Sequence, residues 1–249
     1  MCALEFFDCN CEFGPYRTKV YRYAETADAL LEEMNFCNIN RALVFHTAQR
    51  FDSAPNGNQR VLEEIAGHSR LLPTWTLLPS HTGEMPAGEA LVAEMREQGV
   101  KALRLFHNEH RYFMDAMTWR DQLPVYEERR IPLFIRARLD YILELLKNFP
   151  NLTIVAGTQG FNPMDRYAWP MIAEFPNLFY ETSSYLCDGV LEEFCDRYTA
   201  DRLIFGSGYP ENMKGTAMFR LVRADLSDEQ KSAIASKNLD RLLSQADFS

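Results

Sequence analysis

At the ends of several short apolar runs the chain places residues suited to acid–base and anion-binding chemistry. Asp8, Asn10 and Glu12 alternate past Leu4–Phe7, so an extended strand would put all three on one face. His46 follows a second run. Arg104 stands between Leu103 and Leu105, and it faces inward if the leucines face out. Arg136 and Arg138 follow Phe134-Ile135 and share a face. Thr158, then Glu181 and Ser183, then Gly206-Ser207-Gly208 close three later runs. A carboxylate beside a guanidinium can move a proton on a bound anion, and accessible backbone N–H groups of small residues can receive an oxyanion. Glu12, Arg136 and Glu181 are therefore the candidate catalytic residues. Asn10, His46, Arg104, Arg138, Thr158, Ser183, Ser207 and Gly208 are the candidate substrate-binding residues.

Each of these has a plainer reading. An arginine at the end of a buried strand needs a carboxylate partner or awaits an anionic ligand. Glu12 and Glu181 are the expected partners of Arg136, so a structural ion pair at the rim stands beside a ligand clamp. Asn10 and Glu12 suit a solvated loop equally well. A lone histidine such as His46 is more often a satisfied structural group. Glu109 and His110 read as surface-loop residues, and Cys9 and Cys11 as packing residues.

The elements that would position these groups alternate regularly. Apolar runs at Leu4–Asp8, Arg41–Phe45, Leu71–Leu77, Lys101–Phe106, Pro132–Ile135, Leu152–Ala156, Leu178–Thr182 and Arg202–Phe205 predict strands. Between them, Thr26–Phe36, Gly57–Gly67, Gly88–Gln98, Thr118–Arg129, Leu139–Phe149, Met164–Phe175 and Gly189–Tyr198 have helical spacing. Ser227 with Gln230 forms a capping-box signal for a last helix, whose apolar face would use Ile234, Leu239, Leu242 and Leu243. Strands joined through helices run parallel, and eight of them fit a closed (β/α)₈ TIM barrel within the α/β class. An open doubly wound sheet is the alternative, weakened because no GxGxxG follows the first strand. Nothing divides the chain, so residues 1–249 read as a single domain. In such a barrel the active site lies at the C-terminal ends of the strands, where the polar residues above fall.

The bulk numbers narrow the partners. The 249 residues carry a net charge of −9, which argues against nucleic acid or an anionic membrane as the main partner. The N-terminus lacks the pattern of a secretory signal and no stretch has the length of a membrane span, so a cytoplasmic protein with reduced thiols is expected. The aromatic-rich Glu109–Trp119 segment is a candidate surface for a homo-oligomer.

Taken in order, several segments resemble the amidohydrolase-related family that includes the aminocarboxymuconate and resorcylate decarboxylases. Phe7-Asp8-Cys9-Asn10-Cys11-Glu12 stands where that family has Asp-x-His-x-His. Pro132–Arg136 stands where it has a strand ending in His, and Ile154–Gly160 where it has a strand followed by His-x-Gly. Phe175–Ser183, Arg202–Pro210 and Asn238–Leu243 match its later strands and closing helix. The resemblance spans nearly the whole chain and implies a metal-dependent hydrolase-like barrel. At the family's ligand positions, however, this sequence has Asn10, Glu12, Arg136, Thr158 and Gly208. Of these only Glu12 could ligate a divalent cation, and a zinc site needs about three protein donors. A fixed guanidinium also repels a cation. No metal or other cofactor is therefore expected. The expected function is a metal-independent hydrolase of lactone, ester or C–N bonds, or a lyase. Its substrate would be a small anionic molecule held by arginines at the barrel mouth. A catalytically inactive barrel serving as a binding or assembly partner is the alternative. A third reading relocates the metal to His46, His81, His107 or His110.

Overall fold

The computed structural model describes residues 4–16, 21–157, 161–185 and 187–249. Nine strand segments run through it: β1 (Phe7–Phe13), β2 (Arg41–His46), β3 (Leu71–Pro73), β4 (Trp75–Thr76), β5 (Leu103–Leu105), β6 (Leu133–Ile135), β7 (Ile154–Ala156), β8 (Leu178–Glu181) and β9 (Leu203–Ile204). All pairings are parallel, in the orders β1-β2-β3 and β4-β5-β6-β7-β8-β9.

Two seams join these sheets into a ring of eight. β3 and β4 are one strand that changes neighbour at Thr74. The Thr74 N–H donates to the Val44 carbonyl at 2.9 Å on the β2 side, and Trp75 N–H donates to Ala102 O at 3.2 Å on the β5 side. β1 closes on the chain after β9. Cys9 N–H donates to Phe205 O (3.0 Å), Gly208 N–H to Asn10 O (3.1 Å) and Glu12 N–H to Tyr209 O (2.9 Å). The expected α/β (β/α)₈ barrel is the observed fold, and the open sheet is excluded by this closure.

Side-chain alternation sorts the strands into two layers. Residues such as Leu103, Leu105, Leu133, Ile135, Ile154 and Ala156 pack outward against the helices. Phe7, Cys9, Leu43, Ala102, Phe134, Val155, Phe179 and Ile204 fill the interior together with Leu239, Leu242 and Leu243. The last three belong to the helix Asn238–Gln245, which stoppers the end where the strands begin. That helix is pinned by Arg41, whose guanidinium makes two 2.7 Å bonds to Asp240. Asn238 adds bonds from its amide to Ala200 O (2.8 Å) and Leu203 O (2.9 Å). With one end plugged, the opposite end remains as a mouth.

The Ser227–Gln230 capping box is present as expected. Most strand segments are shorter than their apolar runs, because outer residues of those runs continue into loops. Two helices escaped the sequence pattern: Thr47–Phe51, which has only five residues, and Lys214–Arg223, whose exposed Phe219 and Val222 blur its stripe. Residues His107–His110 form a helical turn rather than the expected loop. No helix among the described residues is long and apolar enough to cross a membrane.

Leu242 is buried in the stopper against the barrel interior. Leu242→Ala is expected to lower unfolding free energy by about 2–5 kcal/mol, measured by urea denaturation.

Candidate active site

The first strand departs from simple alternation, and the departure makes the site. Asp8 pairs with Ala42 but Cys11 with Val44, so β1 holds one extra residue between them. Phe7 and Cys9 face the interior before the bulge; Asn10 and Glu12 face the mouth after it. The expectation that Asp8 shares their face is therefore corrected. Asp8 is buried behind the wall, where its Oδ1 accepts from Asn10 N–H (3.0 Å) and Ser207 N–H (2.8 Å), fixing both the bulge and the loop after β9. Burial raises its carboxyl above the ordinary range, against the pull of those hydrogen bonds.

A cleft opens at the mouth. Its charged lining is Glu12, Glu181 and Glu211 against Arg50, Arg104 and Arg136. Asn10, Ser183, Gly208 and Asn212 add polar surface, and Phe45, Phe106 and Phe134 add aromatic surface.

Arg104 faces the interior, as its flanking leucines require, and is only 5% exposed. Its Nε donates to Thr74 Oγ1 (2.8 Å) and its Nη2 to Cys9 O (2.5 Å). Its guanidinium carbon lies 4.3 Å from the ring centre of Phe45 and 5.0 Å from that of Phe134. Among the described residues it forms no ion pair, and its Nη1 has no partner. Burial lowers its pKa to about 10, which still leaves it cationic at neutral pH.

Glu12 is 2% exposed. Its Oε2 accepts from the Tyr16 hydroxyl and lies 3.4 Å from Arg50 Nη1, while its buried Oε1 has no partner among the described residues. Burial drives its pKa up to about 7, with Arg50 and Tyr16 holding it from rising further. Glu181 is buried and turned back on its own loop. Its Oε2 accepts from Ser183 N–H (3.0 Å) and its Oε1 from Ser183 Oγ (2.5 Å). Burial raises its pKa as well. Gly157 and Gly206 make room for this carboxylate, and a Cβ on Gly206 would collide with Glu181 Oε2.

Several expected roles change. Arg136 lies at the rim, its side chain 57% exposed, and pairs with Glu211 rather than with Glu12 or Glu181. Arg138 leaves the cleft and pairs with Asp140 at 2.8 Å, because the helix Leu139–Asn148 begins immediately after it. His46 does not line the cleft. Its Nδ1 accepts from Ala48 N–H (3.1 Å) as the cap of Thr47–Phe51, and burial lowers its pKa to about 4. Ser207 is buried behind the wall, with its Oγ accepting from Tyr209 N–H at 3.1 Å. The backbone oxyanion site is also corrected. The N–H groups of Ser183, Gly206, Ser207 and Gly208 are engaged by Glu181, Thr182 Oγ1, Asp8 and Asn10 O respectively. Thr158 lies outside the described residues.

Arg50, Glu211 and Tyr16 are the site residues that the sequence pattern missed. Arg50 sits on the unpredicted helix Thr47–Phe51, and its Nε donates to Glu109 at 2.7 Å. Glu109 thus supports the site rather than a surface loop. Burial works against the Arg50 charge, but Glu12, Glu211 and Glu109 together raise its pKa. Glu211 is held below the ordinary carboxylate range by Arg136 and Arg50, against partial burial. Glu211 is thus held toward its ionised form while burial shifts Glu12 and Glu181 toward the neutral acid, opposite the three arginines of the same cleft.

The sequence profile of the amidohydrolase family matches residues 7–244. This chain belongs to the amidohydrolase family. Solved structures of similar fold include a 2,6-dihydroxybenzoate decarboxylase from Rhizobium at 16% identity and TM-score 0.78, covering 97% of this chain and 99% of that one. A 5-carboxyvanillate decarboxylase from Sphingomonas paucimobilis has 15% identity and TM-score 0.74, with 97% and 99% covered. A dihydroxybenzoic acid decarboxylase from Polaromonas, solved with bound manganese and 2-nitroresorcinol, has 14% identity and TM-score 0.76, with 97% of each chain covered. No curated protein matches this chain.

The described residues of this amidohydrolase offer no ligand set for such a metal. No three His, Cys, Asp or Glu side chains converge among the described residues. The family position after the fifth barrel strand (β6) carries Arg136, a cation, and the one after the eighth (β9) carries Gly208, which has no side-chain donor atom. The described histidines offer no substitute set: His46 caps a helix, His81 Nε2 lies 3.1 Å from Thr118 O, His107 packs edge-on against Tyr141, and His110 packs against Phe106 and Tyr112.

Gly206→Ala is expected to cost about 1–3 kcal/mol of stability through overpacking against Glu181. Gly215→Ala, with open space at its Cβ position in a helix, is expected to be neutral or slightly stabilising. Urea denaturation of both variants checks the contrast.

Proposed function

We propose that this amidohydrolase is a metal-independent enzyme, a hydrolase of lactone, ester or C–N bonds or a lyase, acting on a small carboxylate at the barrel mouth. The observation that carries this reading is Arg104. A guanidinium in the barrel interior, with no carboxylate partner among the described residues and with Nη1 unengaged by them, is an anion anchor. Desolvation strengthens its pull on an incoming anion, and the rings of Phe45 and Phe134 hold it in place. Arg104 is the main anchor, and Arg136, a catalytic candidate in the sequence, assists from the rim.

Glu12 is the proton-handling group. Its pKa of about 7 matches the working pH of a general base, and its unengaged Oε1 gives it an atom to work with. Glu181 is tied to Ser183 through both oxygens, so it shapes the wall and the field instead. Asn10 and Asn212 line the same cleft and supply polar contacts to the substrate.

One observation favours the second reading, a barrel that binds an anion without converting it. The backbone N–H groups that would stabilise an oxyanion are already engaged, so any such stabilisation must come from arginine side chains.

Turnover against lactones, esters and β-keto acids separates the two readings. Glu12→Gln is expected to cost about 10²–10⁴-fold in kcat, and Arg104→Met to abolish saturable binding of the carboxylate. Equal activity in parent and both variants contradicts the assignment. Binding that needs Arg104, with no turnover of any substrate, establishes the second reading.

The pH dependence follows from the same group. A general base works ionised, so kcat/KM is expected to rise with pH and level off above about 7, and Glu12→Gln should lose that limb. Stability moves the opposite way. The folded pKa lies above the ordinary 4.5, so Glu12's contribution is fully present below 4.5 and is lost as pH rises through about 7. Urea midpoints at pH 5 and pH 8 are expected to show a smaller loss on alkalinisation in Glu12→Gln than in the parent.

A further inference from the structure

The rim of the cleft contains an ion-pair bridge that the proposed chemistry does not use. Glu211, on the loop after β9, accepts from Arg50 Nη1 at 2.8 Å through Oε1, and from Arg136 through Oε2. One carboxylate of the chain therefore spans two guanidinium groups from separate segments, the short helix after β2 and the chain after β6, and all three side chains line the cleft that Arg104 anchors.

The two halves of the bridge differ in permanence. Arg50 is 14% exposed and is held independently by Glu109 through Nε at 2.7 Å, so it keeps its place without Glu211. Glu211 is 35% exposed and Arg136 57%. Ion pairs this open to water contribute little net stability, because hydrated ions exchange partners at small cost. An incoming carboxylate would meet the same two donors, one of them pre-oriented, and would leave Glu211 free to reach solvent.

We propose that Arg50 and Arg136 form a second anion subsite, filled in the free protein by the chain's own Glu211 and taken over by the second carboxylate of a small dicarboxylate substrate. Glu211 is then an internal competitor. It satisfies the rim arginines when the cleft is empty and selects for ligands carrying two negative groups, one for Arg104 and one for the rim. The proposal rests on Arg104 as the first anion anchor.

Calorimetric titration with glutarate as the dicarboxylate and butyrate as the monocarboxylate tests it. The parent, Glu211→Gln, and the double variant Glu211→Gln/Arg136→Ala are compared. Apparent affinity scales with the fraction of molecules in which the subsite is open, so a competitor in place about nine-tenths of the time hides roughly tenfold. Glu211→Gln is expected to tighten glutarate about tenfold while moving butyrate far less, and Arg136→Ala is expected to remove the gain. Equal tightening of both ligands, unchanged glutarate binding, or a gain that survives Arg136→Ala overturns the proposal. Loss of butyrate binding in Arg104→Met supports the first anchor separately. Butyrate binding that persists in that variant contradicts the Arg104 reading, whatever the Glu211 result. Binding of neither ligand by any variant overturns both.

Discussion

A positive charge is held inside the barrel without a negative partner among the described residues. The Arg104 guanidinium lies among Phe45, Phe134, Thr74 and the Cys9 carbonyl, where water cannot solvate it well and no described carboxylate pairs with it. An uncompensated buried ion is costly unless something offsets it. Two aromatic faces and two hydrogen bonds offset part of that cost, and the remainder gives the cleft its appetite for anions. The carboxylates nearby do not neutralise it by contact. Glu181 is engaged by Ser183, Glu12 by Tyr16 and Arg50, and Glu211 by the rim.

The scaffold keeps this arrangement rigid. The bulge in β1 turns Asn10 and Glu12 to the mouth and puts Asp8 behind the wall, where it ties β1 to the loop after β9. The closing helix fills the other end with Leu239, Leu242 and Leu243. Gly157 and Gly206 leave the space that the Glu181 carboxylate occupies. These devices belong to an amidohydrolase barrel, yet at the positions where the sequence resemblance puts the family's metal ligands, the chain has an amide at Asn10, a carboxylate at Glu12, a guanidinium at Arg136 and a bare Gly208. Those groups favour bound anions over bound cations, and the chemistry proposed here follows that change of sign.

Much of the fold was legible because buried parallel strands write themselves as apolar runs. The split of the third strand at Thr74 was not, since a change of hydrogen-bonding neighbour leaves no compositional trace. The inward direction of Arg104 could be read from Leu103 and Leu105, which require the outer face. The site was less legible wherever local geometry broke alternation. The β1 bulge displaced Asp8 from the expected row, and the helix start at Leu139 carried Arg138 outward. Arg50 and Glu211 were invisible because an arginine on a short helix and a glutamate on a loop resemble ordinary surface residues. Only the fold brings them to one carboxylate's width of each other. The small residues after β8 and β9 misled in the opposite sense: their N–H groups are exposed in the sequence pattern but engaged in the structure.

The most direct measurement of the central claim is an anomalous-diffraction map from crystals soaked in bromoacetate and, separately, in manganese. The account predicts a carboxylate against Arg104 Nη1, with the bromine inside the cleft and no manganese coordinated by Glu12. Manganese ordered on Glu12 with other protein ligands, or a carboxylate that avoids Arg104, would contradict it.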